Sequence, residues 1–267
     1  MKKTNIMWLC ESAVMIAAST VLSFFAIIKM PFGGSVTAFS MVPVILIAYR
    51  YGTLRGLATG LVHGILQLII GSSTLSYATS LGAAIAIVLL DYLLAFSALG
   101  LGGVFRKTVK SQYAALVCGA ALCCAVRYLM HVISGCTVWA GVSIPSTDGL
   151  LYSLSYNAAY MIPETVVTIA GVFYLGKTID FRPEKLGRIN SEETNAEAVF
   201  SAVSLLVIIA TVLFDALKLF AATQTEEGFD ITAISGAPFT LIGIITAIGL
   251  VLGAALYIIG KKMKSVK

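Results

Sequence analysis

GAAIAIVLLDYLLAFSALGLGG, residues 82–103, decides the architecture. The run carries one charge, Asp91, and is long enough to cross about 30 Å of hydrocarbon as a helix rising 1.5 Å per residue. It lacks the alternation of a barrel strand. In lipid, where each backbone N–H and C=O must be paired within the protein, that leaves a helix. The rest of the chain repeats the pattern. Its 267 residues are 58% apolar and 12% charged, with a mean hydropathy of +0.95. That leaves too little polar surface to cover a water-soluble globule. Apolar runs near residues 6–29, 37–49, 54–71, 78–104, 112–136, 149–176, 197–222 and 236–260 predict an all-α, polytopic membrane helix bundle. The second run is short for a span and is expected to be tilted or packed inside the bundle.

Charge placement gives an independent reading, because Lys- and Arg-rich loops stay cytoplasmic. With an inside N-terminus and eight crossings, only Lys29 of the 18 Lys and Arg lies in an outer segment, and only Arg127 and Lys218 lie within spans. Both termini are thus expected in the cytoplasm. The net charge of +5 calls for no nucleic acid, since basic loops beside anionic lipid account for it. The first run is too long for a cleaved signal peptide and is expected to be a permanent helix. The five cysteines lack metal-ligand spacing and are expected to be small packing residues. The polar stretch 177–196, with mixed charges and Pro183, predicts a cytoplasmic linker. The expected organisation is a core over 1–177, a linker over 178–196, and a transmembrane hairpin with a basic tail over 197–267. No internal repeat is evident, which weighs against a transporter of two related halves.

No nucleotide-binding G-x-x-x-x-G-K-[ST] loop occurs, nor H-E-x-x-H, nor G-x-S-x-G, and the only histidines are His63 and His131. The chain is therefore expected to be no enzyme, with no cofactor and no metal, and any energy must come from elsewhere. Asp91 is the exception to the apolar pattern. A mid-membrane carboxylate costs roughly 2.5–3.5 kcal/mol and marks either a functional site or an ion pair, here with Arg127. With the fifth span running outward, His131 lies near its outer end and Trp139 just beyond. The sixth returns inward from Tyr152, Tyr156 and Asn157, and Asp91 and Tyr92 approach from the fourth. One buried negative charge ringed by π-faces suits an aromatic cation. An interfacial aromatic belt is the alternative for the rings. His63, one turn from Gln67, is expected to make a buried hydrogen bond between helices.

Residues 6–177 resemble the thiamine-specific substrate-binding subunits of energy-coupling-factor importers. The likeness is carried by GGSVTAFSMVPVI at 33–45, LLDYLLAF at 89–96, RYLMHVISG at 127–135 and YSLSYNAAYMIP at 152–163, in that order. The resemblance implies six helices around a cavity near the outer surface of a bacterial cell membrane. It makes Asp91 the partner of the thiamine cation with Tyr92 beside it, places His131 and Trp139 against the rings, and gives Tyr152 and Asn157 hydrogen-bonding roles. It makes Pro31 to Ser40 a lid, moving at Gly33 and Gly34. It also implies that Ala13 and Ala17, four apart on the first helix, dock a membrane coupling protein bound to two ATPases; packing within the chain is the alternative. Two features depart from the family. AAIAIV precedes Asp91 where many relatives carry a Pro-x-Gln element, and the hairpin 197–260 is additional. Within it, Asp215 and Lys218 are expected to pair locally or to belong to a contact surface. Competing functions are a subunit for another vitamin or a thiamine precursor, and an autonomous ion-coupled transporter using Asp91.

Overall fold

The computed structural model describes residues 3–30, 33–139, 149–182, 185–189, 195–225 and 228–264. Its main elements are helix α1 (Lys3–Phe24), strands β1 (Ala26–Lys29) and β2 (Ser35–Thr37), α2 (Val42–Tyr51) and α3 (Thr53–Ile70). Then come α4 (Leu81–Arg106), α5 (Gln112–Thr137), α6 (Gly149–Thr178), α7 (Asn195–Ala222) and α8 (Phe239–Lys264). All but α2 are apolar and long enough to span, so the protein is a multi-pass, all-α membrane bundle. Large apolar side chains such as Leu54, Leu81, Ile162 and Val251 are exposed, as expected of helices solvated by hydrocarbon. The chain divides into two compact units, Met1–Gly187 and Arg188–Lys267.

In the first unit, the run read as the second span proves to be a helix of 10 residues, about 15 Å long. Residues Val42 to Tyr49 are all buried, so α2 is apolar on every side because it packs inside the bundle. The direction of the chain still reverses there. Trp8 bonds Thr59 at one end of α1 and Ser23 bonds Gln67 at the other, so α1 and α3 run parallel. The last turn of α2 returns to the first half of α1, where Arg50 pairs with Glu11 at 2.7 Å. The segment β1–β2–α2 therefore makes one return crossing between two parallel ones. The first apolar run stops at Phe24 because residues 26–29 pair antiparallel with 35–37 as a hairpin. A single glycine, Gly52 at φ +97°, joins α2 to α3.

α4 is the irregular member. Its Ile87–Leu94 segment is wound as wide π-type turns and Ala98–Arg106 as tight 3₁₀ turns. It lies against Gly56, Gly60 and Gly64, a ridge of glycines one turn apart on α3. A Cβ at Gly60 would overlap the Phe96 carbonyl, and one at Gly64 would lie 2.8 Å from the Tyr92 carbonyl. This small-xxx-small face lets the backbone of α4 approach closely.

The second unit is a helical hairpin. Ser204 bonds the Gly253 carbonyl at 2.8 Å, Thr211 packs on Gly249, Thr246 donates to Asp215 at 2.7 Å, and Lys261 pairs with the buried Glu197. The expected pairing of Asp215 with Lys218 is not formed: Asp215 bonds across to α8, while the Lys218 ammonium lies 5.5 Å from the Phe214 ring. A threonine on the facing helix reaches one oxygen of the acid without a lysine being stretched along its own helix.

Candidate functional site

A cavity of about 250 Å³ opens in the first unit between α3, α4, α5, α6 and the β1–β2 turn. Asp91 and Tyr92 reach it from the π-type segment of α4, whose extra residue per turn rotates its side chains relative to an ordinary helix. The Asp91 carboxylate accepts from Ser134 Oγ at 2.7 Å, His131 Nδ1 at 3.0 Å and Trp139 Nε1 at 3.3 Å. The tautomer of His131 follows from its other neighbour. Arg127 Nε can only donate, and it reaches His131 Nε2 at 3.3 Å, so Nε2 accepts and Nδ1 carries the proton given to Asp91.

Asp91 and Arg127 form no ion pair among the described residues. The Arg127 guanidinium instead lies 4.3 Å from the Phe96 ring centre, with His131 between it and the carboxylate. Two carboxylate oxygens offer about four acceptor positions and three donors are present, so Asp91 retains capacity for one more contact.

Rings surround this acid. Trp139 packs against Tyr77 at 5.8 Å, His131 against Tyr160 at 6.1 Å, and Tyr156 against Tyr160 at 6.3 Å. The hydroxyl of Tyr92 bonds the Gly71 carbonyl at 3.0 Å and Thr74 Oγ1 at 3.1 Å, fixing its ring on the cavity wall. Asn157 also lines the cavity, but its amide is engaged. Nδ2 donates to the Ser153 carbonyl at 2.9 Å and to the His131 carbonyl at 3.3 Å, and Oδ1 accepts from Tyr160 at 2.8 Å. In this state Asn157 ties α5 to α6 beneath the rings. Buried Tyr152, the remaining residue read from sequence, is not among the cavity-lining residues.

Gly33 and Gly34 line the cavity from the β1–β2 turn. Both have positive φ, +106° and +88°, and a Cβ on Gly34 would come within 2.7 Å of the Tyr160 ring. Glycine is needed here for backbone conformation and close approach. Pro31 and Phe32, at the tip of the expected lid, lie outside the described residues. The hairpin is clasped at two points. Tyr156 donates to the Gly33 carbonyl at 3.0 Å, and the buried Glu164 accepts from both the backbone N–H and the hydroxyl of Thr37.

Several lining residues were not selected from the sequence. Tyr160 stands four residues after Tyr156 and three after Asn157, a helical spacing that put it on the same face. Gln67, Thr74 and Phe96 gave no comparable signal. His63 is buried, but among the described residues it makes no hydrogen bond; its ring meets Phe96 edge-on at 5.2 Å. The expected bond between helices is made instead by its neighbour Gln67, to Ser23. On α1, Ala13 and Ala17 are exposed. Among the described residues no three His, Cys, Asp or Glu gather as a metal site.

The profile of the family described as "Thiamine transporter protein (Thia_YuaJ)" matches residues 9–181. Thiamine transporter ThiT of Bacillus subtilis (strain 168) is 35% identical over 170 residues, covering 60% of this chain and 84% of that protein. Thiamine transporter ThiT of Lacticaseibacillus paracasei is 28% identical over 147 residues, covering 50% and 69%. A solved structure of ThiT from Listeria monocytogenes superposes with a TM-score of 0.55 at 26% identity, covering 66% of this chain and 96% of that one.

Proposed function

The chain belongs to the thiamine transporter protein family, and from that premise we propose that it is the thiamine-binding subunit of an energy-coupling-factor importer, capturing the vitamin outside the cell. Thiamine joins a cationic thiazolium to an aminopyrimidine. The observation that carries the reading is the placement of Asp91, a carboxylate at the cavity wall with an acceptor position remaining, among Tyr92, His131, Trp139, Tyr156 and Tyr160. A cation at a π-face gains roughly 0.5–2 kcal/mol per contact, and the low dielectric strengthens its attraction to the acid.

The chain has no nucleotide-binding loop, so transport is assigned to a complex with a membrane coupling protein and two ATPase subunits. The exposed Ala13 and Ala17 on α1 support a docking face there, since small residues let a partner helix approach. The basic loops support cytoplasmic N- and C-termini.

Tryptophan fluorescence tests the reading, because the chain has only Trp8 and Trp139. Trp8 bonds Thr59 and lies under Arg55, while Trp139 lines the cavity. Thiamine is expected to quench the wild-type emission, and Trp139→Phe to remove the quenching while some binding remains. Asp91→Asn is expected to weaken binding about tenfold or more, as loss of a charge-assisted contact of about 1.5–3 kcal/mol requires. Quenching that persists without Trp139, or undiminished binding by Asp91→Asn, refutes the placement.

A further inference from the structure

Resting on the thiamine reading, we infer that Gln67 is a ligand-binding residue whose carbonyl oxygen accepts a hydrogen bond from an N–H or O–H of the ligand. Ser23 sets that polarity. The Ser23 hydroxyl has one proton, and it lies 2.7 Å from the Thr20 carbonyl, a group that can only accept. With its proton spent inside α1, Ser23 Oγ can only accept from Gln67, so the amide presents Nε2 to it, at 3.0 Å. Gln67 Oε1 is then the end left over. It makes no hydrogen bond among the described residues, and Gln67 lines the cavity beside Ile70, Gly71 and Thr74.

The wall at Gln67 therefore complements the wall at Asp91. Asp91 offers a charge for a cation, while Gln67 offers a neutral acceptor whose orientation is fixed before the ligand arrives. Such pre-orientation favours a donor over an acceptor at the same place, because an acceptor there would face Oε1 with both groups unpaired. Thiamine has two donors, the exocyclic amine of its pyrimidine and the hydroxyl of its side chain.

The test is a binding cycle on purified full-length protein with three ligands: thiamine, oxythiamine with an oxo group in place of the amine, and a thiamine analogue lacking the side-chain hydroxyl. Gln67→Met, similar in length but without the acceptor, is expected to bind thiamine about five- to tenfold more weakly. That loss should vanish against one analogue, which identifies the donor that Gln67 receives. Gln67→Glu retains an acceptor and is expected to keep affinity within about threefold, which separates a lost contact from a damaged fold. Ser23→Ala releases the amide to turn, so it should narrow wild-type discrimination between thiamine and the analogue that reports on Gln67. Equal losses for all three ligands, or no loss by Gln67→Met, overturn the inference and leave the thiamine reading standing. Wild-type protein that does not bind thiamine overturns both.

Discussion

At the scale of single residues, the candidate site is a carboxylate held in place by its neighbours. Ser134, His131 and Trp139 converge on Asp91, and Arg127 holds His131 in the tautomer that donates. Ser134 is wholly buried and its hydroxyl is the shortest of the three contacts. Ser134→Ala removes one donor from a charged acceptor, a change of about 1.5–3 kcal/mol. Its expected result is a lower unfolding temperature of the ligand-free protein in detergent, measured by differential scanning fluorimetry. Asp91 was legible in the sequence because an acid in an apolar run has few bland explanations. Gln67 was not, since an amide in a span is ordinary and only the closed fold reveals what it faces. Tyr152 shares a helical stripe with Tyr156, yet four residues carry it about 6 Å further along α6, away from the lining residues.

At the scale of elements, two devices place the site, and both escaped a pattern reading. The first is the glycine ridge of α3. Hydropathy registers Gly56, Gly60 and Gly64 only as weak apolar residues, whereas their spacing brings α4, with Asp91 and Tyr92, against α3. Gly60→Ala would drive a methyl group into the Phe96 carbonyl. It should cost about 1–3 kcal/mol of stability by overpacking and weaken thiamine binding as well, measured by thermal unfolding and titration of the same sample. The second is the clasp on the β1–β2 hairpin. Phe39 at its base has φ +65°, uncommon for a bulky residue, and its ring sits against Gly171. Glu164 supplies the acceptor that Thr37 needs. Glu164→Gln keeps an acceptor for the Thr37 N–H and should retain closure. Glu164→Leu leaves the buried Thr37 N–H unpaired and its hydroxyl with Ser40 alone, and is expected to raise amide exchange across residues 26–37 and to speed ligand release, followed by exchange mass spectrometry and stopped-flow fluorescence.

At the scale of the whole molecule, eight apolar runs were visible because hydrocarbon demands length and apolarity of every span, and that demand is written along the chain. What hydropathy cannot encode is that α2 runs only about 15 Å inside the bundle and that a hairpin completes the crossing. Direction survives that shortening, which is why loop charges could be read as an alternating pattern. The same view separates the unit that holds the cavity from the hairpin. Every cavity-lining residue falls between Gly33 and Tyr160, and the family match ends at residue 181, before the second compact unit begins at Arg188. The Listeria structure is 96% covered by 66% of this chain, so that relative does without the equivalent of the remaining third. The hairpin also makes polar contacts of its own, with Glu197 bonded to Lys261, Asp215 to Thr246 and Ser204 to Gly253. A chain ending at residue 187 should therefore insert and bind thiamine within about twofold of the full-length affinity, since neither the Asp91 cluster nor the Glu164 clasp is removed. Titration of purified full-length and shortened proteins in the same detergent measures this, and a shortened protein that is folded but has lost thiamine binding would assign the hairpin to the binding function.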